Sequence, residues 1–425
     1  MVFRDGAFRD GVLGLHPLSG FFMKDRALCA VAGRFFLTDA YERAMVQGRA
    51  QFQEVTVGGR RDGTIEAYHL AITQDAGAYP AIGALLPGLT RMMAAGTYDI
   101  PAVTCEVRSV VTNTVPTAAY RGAGRPEATA ALERAVDLFA AEAGLDPAEV
   151  RRHNLLPAFD EPHTTPTGTT YDCGDYRGTL EAALAAAGYD ELRAEQRRRR
   201  EAGERVALGV GLSTYVEVTG GPVAGSEFGR VEIHPREDGD GVEVVVYTGS
   251  SPHGQGLATA FSMLAADELG VPLERVRVLH GDTDHVARGV GTFGSRSLQL
   301  GGSAVRAAAL EVVEEARRRA ADLVEAPAED VVLDTDRGVF HVVGTPTVAR
   351  SWAEVAAAGE GMAADADFAA EQPTYPSGTH VAVVEAPVEM RGEHLDRAAG
   401  PGHVGPQHQA AFLVLADITL GEHAE

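Results

Sequence analysis

Apolar and polar positions along the chain change period several times, and each change marks an element. Residues 53–57 and 64–73 alternate apolar or β-branched side chains with polar ones around a glycine-bearing turn at 58–63, which predicts a β-hairpin. Residues 75–101 are broken by Gly, Ala and Pro and support no long strand, whereas 102–111 resume as one. Beyond Pro126 the apolar spacing becomes helical over 128–143 and stops at Gly144, and Asp146 with Pro147 opens a short second helix through Asn154. Residues 157–176, full of Pro, Thr and Gly, read as a connection, and 179–200 as a helical stretch after it. In the second half strands are predicted at 206–216, 229–234, 242–248 and 276–280, with helices at 257–269 and 303–323. Twice a strand feeds a glycine-bearing loop that opens a helix, at 249–256 and at 289–297. Such junctions present backbone amides to anionic groups.

With 425 residues the chain exceeds one ordinary core, so two domains are expected. The divisions fall at 1–44, an N-terminal segment; 45–157, a first domain; 158–205, a linker with a helix; 206–385, a second domain; and 386–425, a tail. The fold class is expected to be α+β, two mixed sheet-and-helix domains.

Charge narrows the partners. A formal net charge of -23 and a pI near 5.0 argue against a nucleic-acid backbone, which needs clustered Lys and Arg. The one basic run, Arg197 to Arg200 with Arg193 before it, reads as a solvated helix end. Cys29, Cys105 and Cys173 lie too far apart in sequence for a zinc knuckle or an iron–sulfur ligand set, so any redox centres are expected on other chains. Sparse cysteines suit a reducing compartment, and the cytoplasm is expected. No stretch approaches the roughly 18–20 apolar residues of a membrane span, so no membrane insertion is expected.

Three segments carry chemistry. Residues 118–127 place two glycines and two arginines in a turn before a helix, where backbone approaches a ligand closely and bidentate Arg donors suit phosphate or an oxygen-rich cofactor; a helix-start turn with solvated arginines is the plainer alternative. Residues 248–256 set Gln255 between Gly254 and Gly256, a donor and acceptor with little bulk around it, against the alternative of a solvated capping loop. Residues 281–284 hold Asp282 and Asp284, a weak metal signal that a turn explains better. Gly294, Ser295, Arg296 and Ser297 then supply flexible backbone, hydroxyls and a cation, suited to pyrophosphate or pterin recognition. None of these is a dinucleotide-fold fingerprint or a phosphate loop.

In this order, Tyr120-Arg-Gly-Ala-Gly-Arg-Pro-Glu127, Asp146-Pro-Ala-Glu-Val-Arg-Arg-His-Asn-Leu155, Pro252-His-Gly-Gln-Gly256, His280-Gly-Asp-Thr-Asp284 and Gly291-Thr-Phe-Gly-Ser-Arg-Ser297 resemble the molybdenum-cofactor-binding large subunit of the xanthine dehydrogenase, aldehyde oxidase and carbon monoxide dehydrogenase family. The likeness runs over roughly residues 45–385 and is nearest the bacterial, separate-chain type. It implies two molybdopterin-binding domains and an oxidoreductase subunit that hydroxylates an aldehyde or N-heterocycle with water-derived oxygen. The implied cofactor is molybdenum-molybdopterin, in the cytosine dinucleotide form. It further implies a hetero-oligomer with a [2Fe-2S] small subunit and an FAD-binding medium subunit, and few or no protein ligands to the metal. Carried over onto this sequence, the implied cofactor contacts are Arg121, Gly122, Ala123, Gly254, Gln255, Gly256, Phe293, Gly294, Ser295, Arg296 and Ser297. Copper-containing members carry a cysteine in the first motif; here 121–125 has none, which disfavours carbon monoxide as substrate.

Residues 1–44 do not resemble the family's glycine-rich segment, and 386–425 have no clear counterpart. Glu389, Glu393, Glu422 and Glu425 stand outside any family-like context, so the catalytic base is unassigned, and this chain alone is expected to turn over slowly. A non-catalytic remnant of such a subunit is the alternative reading.

Overall fold

The computed structural model describes residues 48–221, 225–239, 241–359, 361–387 and 415–421. Packing divides the chain after Glu217 and after Thr374: the second unit is Val218–Thr374, inserted into the first. Strands and helices mix in both, as expected of an α+β chain.

In the first unit the expected hairpin forms as β1 (Gln51–Arg60) and β2 (Ile65–Asp75), with Val55 opposite Leu70 and Val57 opposite Tyr68. These four are buried, the inward half of the alternation. The broken segment after it holds a helix, α1 (Leu86–Met92), that the sequence reading did not propose; seven residues among Gly and Pro show no helical period. β3 (Ala102–Val110) follows, parallel to β2. α2 (Arg125–Ala143) lays Ala131, Ala135, Val136 and Phe139 into the core, and α3 (Pro147–Asn154) is capped by Asp146 accepting from Ala148 N. Asn154 joins that helix to the hairpin turn: its Oδ1 accepts from Ile65 N at 2.8 Å and its Nδ2 donates to Gly63 O at 2.8 Å. The connection contains a small hairpin, β4 (His163–Thr164) and β5 (Thr170–Tyr171). The stretch read as continuously helical is two helices, α4 (Tyr176–Ala187) and α5 (Tyr189–Glu201), because Gly188 sits at φ 61. β6 (Val206–Val216) closes this part.

The second unit is built on β7 (Ser226–Pro235), β8 (Val242–Thr248), the crossover helix α6 (Leu257–Leu269) and β9 (Val276–His280), with β8 and β9 parallel. α7 (Ser303–Val324) follows, then an antiparallel three-stranded sheet of β10 (Val331–Asp334), β11 (Val339–Val342) and β12 (Thr345–Ser351), the short α8 (Trp352–Ala357) and β13 (Met362–Ala369), which joins β7 at the edge. The apolar faces of α6 and α7 meet Val231, Ile233, Val244 and Val246 of the sheet. Trp352 lies edge-on to Phe340 and donates from Nε1 to Leu269 O at 2.7 Å.

The chain then returns to the first unit as β14 (Ser377–Pro387), antiparallel to β6 along its whole length, and β15 (Leu415–Gly421), parallel to β1. The sequence division assigned 206–385 to the second domain; by packing, β6 and β14 pair with each other and side with the first unit. Arg151 is one reason. Its guanidinium, fully buried, meets Glu133 Oε2 at 2.9 Å and Asp137 Oδ1 at 2.8 Å and donates to Leu212 O of β6 at 3.1 Å. Glu133 in turn accepts from Tyr98 Oη at 2.5 Å and from Thr214 N at 2.9 Å. Burial, then the charge of Glu133, pushes the Tyr98 phenol well above its ordinary range.

Removing one partner of a buried pair strands the other, at a cost of about 3–5 kcal/mol. Arg151→Met is therefore expected to lower the urea midpoint of the first unit, followed by far-ultraviolet circular dichroism. Fluorescence of Trp352, the one tryptophan, reports the second unit and is expected to move less. Equal shifts in both signals, or none, contradict the assignment.

Candidate functional site

Thr248 pairs with His280 across the parallel β8 and β9, so the chain leaves both strands at the same sheet edge. The carboxyl ends of parallel strands are where open α/β sheets receive ligands. The two loops that follow, 249–256 and 281–296, meet backbone to backbone. A Cβ built on Gly249 would lie 2.4 Å from Gly289 Cα, and one on Gly289 would lie 2.3 Å from Gly249 Cα. Glycine at both positions is what permits the approach.

Under this crossing lies an ion pair between Glu227 and Arg296, both side chains 0% exposed. Glu227 Oε1 accepts from Phe228 N at 3.0 Å and Val290 N at 3.2 Å, and Oε2 accepts from Gly291 N at 3.3 Å and from Arg296 Nη1. Arg296 also donates from Nη1 to Gly291 O at 2.9 Å and from Nη2 to Ser226 O at 2.5 Å. Buried charges persist where hydrogen bonds complete their shells, and here the groups that complete them are the loop backbone itself. Thr292 ties the loops a second time: its Oγ1 accepts from Ser251 N at 2.8 Å, donates to Ser251 O at 2.9 Å and lies 2.9 Å from Ser297 Oγ.

What this scaffold leaves outward is backbone. Among the described residues no acceptor meets the N–H of Gly254, Gln255, Gly256, Phe293, Gly294 or Ser295. Gly254, Gly256 and Gly294 have open space where a Cβ would stand. Gly256 caps α6, so the positive end of that helix adds to the amides. Ser295, a non-glycine residue at φ 55, and the π-helical turn Ser297–Gly302 that leads into α7 are irregularities of the kind that collect at binding sites. The donors and the open glycine surface fit an anionic, oxygen-rich group.

In the first unit the turn 120–125 is shaped by Gly124 at φ 90, whose Cβ would stand 2.5 Å from Leu89 Cβ. Glu127 accepts from Gly124 N at 2.9 Å and pairs with Arg49, which also donates to Arg121 O at 2.6 Å. Arg125 turns back, bonding Glu217 Oε1 at 2.5 Å and Ala123 O at 2.8 Å. Arg121 is exposed, and no acceptor engages its guanidinium among the described residues.

The residues singled out by sequence thus divide by what they do. Arg121, Gly122, Gly254, Gly256, Phe293, Gly294 and Ser295 face outward in their own units, and Ala123 is buried in the turn. Gln255 is folded onto its loop: its Oε1 accepts from His253 N and its Nε2 donates to Ser251 O at 3.1 Å. Arg296 is turned wholly inward, its guanidinium spent on Glu227 and backbone carbonyls, and Ser297 faces Thr292. Asp282 caps its own turn through Asp284 N at 2.9 Å. Sequence reasoning missed Glu227 and Glu217, since a lone glutamate in or just after a strand carries no spacing signal; a charge at the inward position of alternating β7 was the only hint. Glu389, Glu393, Glu422 and Glu425, and the segment 1–44, lie outside the described residues. Among the described residues no three His, Cys, Asp or Glu side chains gather as a metal site, and no helix is long and apolar enough to cross a membrane.

The molybdopterin cofactor-binding domain matches this chain twice, over residues 40–155 and 182–398. The chain is 36% identical over 329 residues to the 6-hydroxypseudooxynicotine dehydrogenase complex subunit gamma of Paenarthrobacter nicotinovorans, covering 74% of this chain and 40% of that protein. It is 33% identical over 362 residues to the carbon monoxide dehydrogenase large chain of Hydrogenophaga pseudoflava, covering 80% and 43%. Among solved structures it is similar to the Cu,Mo-CO dehydrogenase, with a TM-score of 0.72 at 27% identity over 85% of this chain and 49% of that one. The chain thus spans less than half the length of the relatives it matches.

Because the Gly249 and Gly289 backbones touch, Gly249→Ala is expected to destabilise the second unit by about 1–3 kcal/mol through overpacking. The check is the Trp352 fluorescence transition in urea; an unmoved midpoint shows that the two loops do not cross there.

Proposed function

Since the chain belongs to the molybdopterin cofactor-binding family of molybdenum hydroxylase large subunits, we propose that it holds molybdenum-molybdopterin for the oxidation of an aldehyde or N-heterocycle with oxygen taken from water. The observation that carries the reading is the set of outward amides at 254–256 and 293–295, on loops locked from beneath by Glu227 and Arg296. When bound, the cofactor supplies the two-electron oxidation chemistry. The chain's part is to hold it.

In this reading Gly254, Gln255, Gly256, Phe293, Gly294 and Ser295 would give backbone hydrogen bonds to its oxygens, and Arg121, beside Gly122, would offer a bidentate cation. Gln255, Arg296 and Ser297 act from behind, as struts of the loops whose amides do the binding. Phe293, 52% exposed with its ring 5.3 Å from the Arg296 guanidinium, gives the loop one apolar face. The cytosine dinucleotide form is proposed for the cofactor. An iron–sulfur small subunit and an FAD-binding medium subunit are proposed as partners, supported by a chain whose three cysteines are too scattered to carry a cluster. The same sparse cysteines support a cytoplasmic location. Carbon monoxide is disfavoured as substrate by the missing cysteine at 121–125. The two family-domain matches and the locked loops favour cofactor binding over a remnant that has lost it.

Expressed in a host that makes the cofactor, the purified chain is expected to carry molybdenum and a pterin nucleotide at up to about one equivalent. Metal analysis and pterin release on denaturation measure it, and well-folded protein free of both overturns the reading. In the same assay Gln255→Ala is expected to retain several-fold less cofactor than Arg199→Ala. The first leaves His253 N without its partner and takes one donor from Ser251 O, which keeps Thr292 Oγ1, at about 1–3 kcal/mol, whereas Arg199 pairs at the surface with Glu195 and Glu385. Equal retention removes Gln255 from the site.

A further inference from the structure

The turn 120–125 carries two arginines four residues apart, Arg121 and Arg125, yet the fold treats them oppositely. Arg125 is nearly buried, 12% exposed, and bridges Glu217 Oε1 at 2.5 Å to Ala123 O at 2.8 Å; Arg121 stands exposed. Glu217 is itself fixed. It follows the last residue of β6, and its backbone N–H donates to Pro376 O at 2.8 Å, continuing the β6–β14 ladder by one step. Its carboxylate also borders the open side of the turn: a Cβ placed on Gly122 would lie 3.6 Å from Glu217 Oε2 and 3.1 Å from the Pro126 ring. A rigid strand end therefore reaches the turn through one charge-assisted bond, which is shorter and stronger than a neutral one.

We propose that Glu217 is a positioning residue for the turn 120–125, acting through Arg125, so that of the two arginines only Arg121 is offered to an anionic group. Drawing Arg125 inward neutralises it and holds the Ala123 carbonyl back from the open face. The outward surface is then left to Arg121 and the Gly122 backbone. The functional half of this inference rests on reading the turn as cofactor-facing; the positioning half does not.

The test uses the full chain as wild type, Glu217→Gln, Arg125→Met and the double variant, with two readouts. The first is amide hydrogen exchange of the cofactor-free chain at Ala123 and Arg125, whose N–H groups bond Tyr120 O and Gly122 O. Either single variant is expected to speed exchange there on the order of tenfold, the double no more than the singles, because both changes break one link. The second is pterin and molybdenum retained after expression in a cofactor-making host, expected to fall several-fold in each single variant and no further in the double. The thermal midpoint is expected to drop by only about 2–4 °C, since the pair is partly exposed. Wild-type exchange rates in Glu217→Gln overturn the positioning role, as do losses that multiply in the double variant. Faster exchange with unchanged cofactor retention overturns the claim about Arg121. If Glu217→Gln does not fold, Arg125→Met decides by the same two readouts. A wild-type chain without pterin sinks the functional reading alone, because the exchange arm still stands or falls by itself.

Discussion

Two fully buried charges organise the site loops of the second unit. Glu227 and Arg296, each 0% exposed, satisfy one another and use their remaining capacity on Phe228 N, Val290 N, Gly291 N, Gly291 O and Ser226 O. Desolvating such a pair is unfavourable unless its hydrogen-bond shell is complete, so the loop must take the one path that completes it. That path brings Gly289 against Gly249, sets Thr292 between Ser251 and Ser297, and leaves the exposed 293–295 amides without an acceptor among the described residues. The outward donors are thus a by-product of satisfying inward charges. A site whose donors are already ordered need not order them on binding.

The first unit reaches a similar end with a different device. There Glu127 and Glu217 each hold one arginine, Arg49 and Arg125, against the turn before α2, and Gly124 takes the backbone conformation that lets the turn pass close to Leu89. Farther in, Arg151 and Glu133 join α3, α2 and β6 in one buried network, so the strand that ends just before Glu217 is tied to the helix that starts at the turn. In both units acidic side chains do the fixing and neutral backbone or a single cation is left outward. That is an economical way for a chain of net charge -23 to receive an anionic group.

Much of this architecture is legible in the amino-acid sequence. Strands such as 242–248 and helices such as 257–269 have the periods and glycine stops that local physics requires, and they form over those same residues. The motif at 146–155 was legible as a signature but not in its purpose: Asp146, Arg151 and Asn154 all serve internal joints. α1 was invisible because seven residues between glycines and prolines carry no readable period. The pairing of β6 with β14 was not legible, because strands whose partners lie roughly 160–180 residues apart leave no local trace. For the candidate site, the loops were legible and the orientation of side chains within them was not. Arg296 and Gln255 have the chemistry of ligand contacts, and only the position of Glu227 and of Ser251 O reveals that both point into the protein. A residue type states what a side chain can bond; its neighbours decide which bond it makes.

The most direct test of this account is residue-resolved amide exchange at Val290 and Gly291 in the cofactor-free chain, comparing wild type with Glu227→Gln. Both amides donate to the Glu227 carboxylate, and glutamine keeps the shape of the side chain while removing its charge and one acceptor. The account predicts protection at both positions in the wild type and its loss in the variant, with protection in the α7 interior retained, because the loop and not the fold depends on the pair. Unchanged protection at 290 and 291 in Glu227→Gln would contradict it.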